Sequence, residues 1–275
     1  MNPISDTAFY CCGVRMEDAK RAHPVCNDRF AQRFMDERAR RIFEPFRSER
    51  MPNISNAVRC RIIDDALRHA LEANPRTSIV TIGAGFDTRP YRLAGGDWYE
   101  IDEPQIIDHK NICLPVTESP NPLHRVPIEF ARTALASKLP APLGVRPVVV
   151  VIEGVFLYLE PETIEQIIAA LQHAYPRHTL LCDLMTRRFF ERFGESVHRK
   201  LAAAGSRFST KLNDPRALFT SQGYIETSFT PMLTEAARLG VLWRELRIPR
   251  PVAWLMTSLL ARDLGGYGVG RYAFG

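Results

Sequence analysis

At 275 residues the chain can form one large domain, or one domain with a lid, and its 45% apolar content is ordinary for a soluble globular protein. The net charge of +5 permits an anionic partner, but the arginines are spread among acids rather than gathered into a stripe, which speaks against a nucleic-acid surface. No apolar run approaches the ~20 residues that span a bilayer, no basic-then-apolar leader opens the sequence, and the six cysteines lack paired ligand spacing. The expectation is therefore a cytoplasmic protein with reduced thiols, no bound metal and no membrane partner.

Residues 15–50 carry a helical rhythm, with Phe30, Phe34 and Met35 on one side and Arg and Glu on the other, bracketed by Pro24 and Pro45. A second amphipathic helix follows in NAVRCRIIDDALRHALEA, with Ile62, Ile63, Ala66, Leu67 and Ala70 as its apolar face and Asn74-Pro75 as its stop. From Ser78 strands alternate with helices. The predicted strands are 79–83, 98–102, 124–128, 147–152 and 178–183, and Ile164, Ile167, Ile168 and Leu171 keep helical spacing between the last two. The unalternated run Val148 to Ile152 suits a central parallel strand buried on both faces. Repeated βα units imply an open parallel sheet covered by helices. Residues 185–222, rich in Arg and Phe, break the rhythm and read as an inserted lid. Segments 224–229 and 267–274 are the closing strands. This divides a single domain into a helical cover (1–76), a cofactor-binding core (77–184), the lid and the closing elements (223–275).

The most informative stretch is 78–102. Apolar Ile79 to Ile82 ends in Gly83-Ala84-Gly85, and Asp102 closes a second extended run. A strand, a glycine turn and a carboxylate about 20 residues on make a nucleotide-binding crevice. Glycines let the backbone approach the ligand, and a carboxylate accepts from both hydroxyls of a ribose. A dinucleotide site would want a third glycine where Thr88 stands, and Asp87 would repel a pyrophosphate. No Gly-Lys-Ser/Thr follows, so a phosphate loop is excluded. S-adenosylmethionine has adenosine without phosphate, and its sulfonium and ammonium are drawn to nearby acids.

The stretches AVRCRIIDDAL, VTIGAGFDTRPYRL, WYEIDEPQIIDHK and VVIEGVFLYL, in this order, resemble the leucine carboxyl methyltransferase family, including bacterial members that esterify polyketide acids. The resemblance covers about residues 8–185. It implies a class I methyltransferase fold (Rossmann-like, α/β), with a seven-stranded, mostly parallel sheet, an N-terminal helical cover and a substrate lid. It further implies that Arg59 holds the methionine carboxylate, with Arg61 as understudy and Arg15 as a second basic contact. Gly83 and Gly85 would form the turn beneath the cofactor, and Asp102 would take the ribose. Glu129-Phe130 would meet adenine, although the family more often has Asp at the first of these positions. Glu153 would stand beside the methionine ammonium; it ends a strand of five apolar residues, where an unpaired carboxylate is costly.

The expected reaction is transfer of a methyl group to a small-molecule acceptor. A carboxylic acid, with a pKa of ~4, is ionised at neutral pH and needs no base, whereas a phenol, with a pKa of ~10, does. No histidine falls in the part of these stretches that would face the reaction, so a carboxylate of a small organic acid is the favoured acceptor. Phenolic or enolic nucleophiles, the C-terminal carboxylate of a protein, and a cofactor-binding module without turnover are the alternatives. Arg89, Arg187 and Arg188 are candidates to fix an anionic acceptor, and Tyr158 to hydrogen-bond it.

Overall fold

The computed structural model describes residues 3–141, 146–203, 205–209, 212–259 and 261–275. Seven strands form one sheet in the order β3-β2-β1-β4-β5-β7-β6. They are β1 (Ser78–Ile82), β2 (Asp97–Asp102), β3 (Leu123–Pro127), β4 (Val148–Ile152), β5 (His178–Met185), β6 (Ile225–Pro231) and β7 (Tyr267–Phe274). The first five run parallel, and β7 is inserted antiparallel to both β5 and β6. The sequence-based strands fall within two residues of these at their starts. Gly83 lies beyond β1 because its φ of +67° already belongs to the turn.

Alternation explains the unbroken apolar runs. Ile79, Val149 and Val151 pack on one face of the sheet with Phe9, Phe34, Phe43, Val58 and Leu67 from the N-terminal helices. Val80, Ile82, Val150 and Ile152 pack on the other with Ile164, Ile168 and Leu171. Both faces are covered, so both sets of alternate residues are mostly apolar, and the polar ones that remain, such as Thr81, are buried.

The N-terminal cover is built from α1 (Pro3–Ala19), α2 (Glu37–Phe43) and α3 (Arg50–Ala73). The helical rhythm expected over 15–50 is broken between Lys20 and Asp36, and the cause is two buried carboxylates. Asp18 accepts from the backbone N–H groups of Val25, Cys26 and Asn27, and Asp28 from those of Phe30 and Ala31. These bonds divert donors that a continuous helix would use. Asp36 then caps α2 through the N–H of Ala39 at 2.8 Å. In contrast, α3 begins earlier than its apolar face suggests, because Pro52 sits in the first turn, where no intrahelical N–H is needed.

Short α4 (Arg89–Arg92) follows the glycine turn, α5 (Pro104–Cys113) follows β2, and α6 (Pro161–Ala174) follows β4. The segment between β5 and β6 holds α7 (Arg187–Phe189), a π-turn at Phe190–Gly194, α8 (Glu195–Ala203) and α9 (Ala217–Thr220). Four more helices, α10 (Met232–Arg238), α11 (Val241–Leu246), α12 (Arg250–Leu259) and α13 (Ala261–Leu264), lie between β6 and β7. Among the described residues no helix is long and apolar enough to cross a membrane.

Candidate active site

A cavity of about 1540 Å³ opens over the C-terminal ends of β1, β2 and β4, where open α/β sheets bind ligands. Its floor is the turn Gly83-Ala84-Gly85. Gly83 and Gly85 both have positive φ, +67° and +48°, and a Cβ on Gly83 would lie 2.4 Å from Val155 Cγ2. Only glycine meets both demands at position 83.

At one end of the floor stands Asp102, 7% exposed. Its two oxygens accept from the N–H groups of Gly85 at 2.5 Å and Glu103 at 2.7 Å. Burial pushes its pKa up to about 6 against the pull of these bonds. Phe130 lines the same end and is 39% exposed. Its neighbour Glu129 does not line the cavity. That side chain is half exposed and pairs with Arg132 at 3.1 Å, so the acid expected beside adenine is turned to solvent. The N–H of Phe130 instead donates to Glu103 Oε1 at 3.3 Å.

The other end is a buried ion network. Glu153, at the tip of β4, accepts from Arg59 Nε at 2.9 Å and from Arg89 Nη2 at 2.8 Å. Arg59 also reaches Asp183 and the Tyr267 hydroxyl, each at 3.1 Å from Nη1. Asp183 in turn accepts from the Gly154 N–H at 2.6 Å, and this fixes the turn after β4. The guanidinium groups on either side hold the Glu153 pKa down at about 2 although burial opposes it. Glu153 thus keeps its charge throughout the neutral range. Arg15 lines the cavity, but its side chain is committed to Asp28 at 2.9 Å and to the Phe86 carbonyl at 2.7 Å.

Of the three arginines expected to hold the acceptor, only Arg89 reaches the cavity. Arg89 touches the cavity wall, yet its guanidinium is buried and shared among Asp64, Asp87 and Glu153. It braces the site from behind. Arg187 is exposed and pairs with Glu191 at 2.7 Å, and Arg188 is exposed and pairs with Asp263 at 2.6 Å; neither lines the cavity. The helix after β5 turns these side chains outward and points Phe189 in. Arg192, one turn on, does line the cavity and also pairs with Asp263. Tyr158 lines it too, edge-on to Phe208 at 5.1 Å, and burial raises its pKa so that the hydroxyl stays protonated.

Sequence reasoning missed Asp183 and Tyr267. Asp183 carries the same signal as Glu153, a carboxylate in an apolar run (Leu180 to Met185), and could have been found by it. Tyr267 carries none, since its partner is distant in sequence. The cavity wall also extends beyond the segment read from the sequence as a lid. Leu233, Leu242, Leu246 and Leu264, from the helices between β6 and β7, join Phe189, Phe193 and Val197 in lining the cavity. Among the described residues no group of His, Cys, Asp or Glu could hold a metal ion.

The sheet order, the antiparallel β7 between β5 and β6, and a glycine turn facing an acid at the end of β2 define a class I methyltransferase fold. A DUF574 family protein from Streptomyces avermitilis shares that fold with a TM-score of 0.58 at 13% identity, over 96% of each chain. The chain belongs to the leucine carboxyl methyltransferase family, whose model matches residues 9–172. A "Putative S-adenosyl-L-methionine-dependent methyltransferase" of Mycobacterium bovis (strain BCG / Pasteur 1173P2) is 37% identical over 112 residues, 38% of this chain and 37% of that relative. A protein of the same name from Mycolicibacterium vanbaalenii is 35% identical over 117 residues, 40% of this chain and 38% of its own length. The chain therefore matches less than half the length of these relatives.

Proposed function

We propose that the protein is an S-adenosylmethionine-dependent O-methyltransferase that forms a methyl ester on the carboxylate of a small organic acid. The observation that carries this reading is one cavity with Asp102 at one end of a glycine floor and the Glu153–Arg59 pair at the other. An adenosine fits the first end, because Asp102 presents acceptors to a ribose diol while Phe130 presents an apolar face. An amino-acid head of opposite charges fits the second. When bound, the cofactor supplies an already activated methyl group.

The chain's own residues then have to position the acceptor and exclude water, which can contribute on the order of 7–11 kcal/mol. No histidine lines the cavity among the described residues; of its carboxylates Asp87 and Glu153 pair with Arg89, Glu49 pairs with Lys200, Glu103 accepts from the Phe130 N–H, and Asp102 is assigned to the ribose. An acceptor that is already ionised suits such a site, and this favours a carboxylate over a phenol. The protonated Tyr158 hydroxyl donates to the acceptor's oxygen. The cavity exceeds the several hundred Å³ of a typical single-ligand site, and its lid side is lined by Phe189, Phe193, Val197, Leu233 and Leu242. Those residues suit an acid with an apolar body.

The test is a panel of organic acids and phenols incubated with S-adenosylmethionine, with S-adenosylhomocysteine release as the readout. The expected product loses its methyl group in mild base, as esters do. Release with phenols alone, giving a base-stable ether, would overturn the carboxylate reading.

A further inference from the structure

Between α1 and α3 the cavity wall carries a buried polar atom that no protein group satisfies. Asn56 is 6% exposed and lines the cavity. Its Nδ2 donates to Cys11 Sγ at 3.0 Å, while its Oδ1 has no hydrogen-bond partner among the described residues. An unpaired buried acceptor is costly, so one held in the wall of a ligand cavity points to a donor on the ligand.

The surroundings narrow what that donor is. Arg59, three residues further along the same face of α3, approaches the same sulfur with Nη2 at 3.7 Å and donates to Glu153 through Nε. An acceptor oxygen, a guanidinium with a loosely engaged amine and a carboxylate thus share one patch of wall. A lone anion would leave Asn56 Oδ1 unpaired, and a lone cation would face Arg59. A zwitterionic head meets both demands. An ammonium also brings three N–H donors, and both Glu153 oxygens already accept one bond each from an arginine.

Resting on the cofactor reading above, we infer that Asn56 Oδ1 accepts an N–H of the α-ammonium of S-adenosylmethionine, sharing that group with Glu153. The cofactor's carboxylate lies toward Nη2 of Arg59. Asn56 is then a binding residue for the amino-acid head, and its bond to Cys11 sets the amide's orientation.

Two substitutions separate this role from simple packing of α1 on α3. Asn56→Leu removes both the acceptor and the donor to Cys11. Asn56→Asp removes that donor but keeps an acceptor. S-adenosylhomocysteine and its analogue lacking the amino group are titrated calorimetrically into the wild type and both variants. The Leu variant is expected to bind S-adenosylhomocysteine about tenfold or more weaker, the loss of a charge-assisted hydrogen bond, and to bind the deamino analogue within about twofold of the wild type. The Asp variant is expected to prefer S-adenosylhomocysteine over the analogue at least as strongly as the wild type does.

Equal affinity of the Leu variant and the wild type for S-adenosylhomocysteine would refute the inference, as would equal losses for both ligands. Should the Leu variant fail to fold, the Asp variant decides: a preference for the amino-bearing ligand below that of the wild type overturns the assignment. Failure of the wild type to bind either ligand would instead sink the cofactor reading.

Discussion

Glu153 and Arg89 form a 2.8 Å ion pair that fastens the tip of β4 to the segment following the glycine turn. The same guanidinium holds Asp64 at 2.7 Å and Asp87 at 2.9 Å, so one side chain ties α3, the turn and β4 together. The pair makes Arg89 a support for the floor of the cavity, with its charge already spoken for by three carboxylates.

Arg89→Met should therefore act first on stability. It leaves three largely buried carboxylates short of a cation, and breaking such pairs typically costs about 3–5 kcal/mol. Urea unfolding of the variant should show a loss of that order. An arginine whose work was to grip an acceptor would behave differently: unfolding would shift by no more than about 0.5 kcal/mol, with the acceptor's KM rising alone. That outcome would restore the role expected from the sequence.

Asp102 gives the proposed cofactor site a pH dependence of known sign. Its pKa is raised to about 6, so the carboxyl becomes mostly protonated below that pH. A ribose diol donates to the ionised form and hence binds it more tightly. Affinity for S-adenosylhomocysteine should be flat above about pH 7 and fall as the pH drops through 6. Glu153, held at about 2, contributes no titration in that window. Asp102→Ala should bind weakly and lose the inflection; an inflection that persists in the variant would assign it to another group.

Most of the sheet was legible because its signals are local. The runs Ile79–Ile82 and Val148–Ile152 are short, without alternation and rich in β-branched residues, which suits strands buried on both faces, and Gly83-Ala84-Gly85 marks the turn between a strand and its helix. Glu153 was legible because it follows such a run, and Asp102 because it closes an extended segment about 20 residues after the glycine turn. The failures have a different origin. Arg89, Arg187 and Arg188 were assigned by closeness in sequence to the ligand edge of the sheet, but an arginine is long and its partner decides where it points. Asp64 claimed the first, Glu191 the second and Asp263 the third. The unsatisfied oxygen of Asn56 left no trace in the sequence, since it exists only once α1 lies against α3.

Gly83 and Gly85 look equivalent in the sequence and are not so in the fold. An Ala at 83 meets both a positive φ and a 2.4 Å contact with Val155 Cγ2, whereas at 85 the nearest atom, Ala8 Cβ, is 3.5 Å away. The left-handed backbone alone costs a non-glycine residue about 1–2 kcal/mol, and overpacking adds about 1–3 kcal/mol. Gly83→Ala should destabilise the protein more than Gly85→Ala by roughly the second amount. Adding Val155→Ala should recover part of the loss in the first variant and none in the second. Equal costs at both positions, read by thermal unfolding, would contradict the contact.

Tyr267 offers the sharpest test of how the closing strand serves the site. Its hydroxyl accepts from Arg59 Nη1 and donates to Asp183 Oδ2, both at 3.1 Å, so β7 helps to orient the guanidinium proposed to face the cofactor's carboxylate. Tyr267→Phe removes one oxygen and leaves the ring packed against Phe189 at 5.5 Å. A hydrogen bond to a charged group contributes about 1.5–3 kcal/mol, but Asp183 still holds Nη1 in this variant, so the expected loss is near the lower end, roughly tenfold in cofactor affinity. Asp183→Asn takes the charge away from Arg59 as well and should cost more. Because neither residue is assigned to the acceptor, both variants should raise KM for S-adenosylmethionine while leaving KM for the acceptor unchanged. A matching rise in both constants would mean that the strand shapes the cavity as a whole and does not act through Arg59.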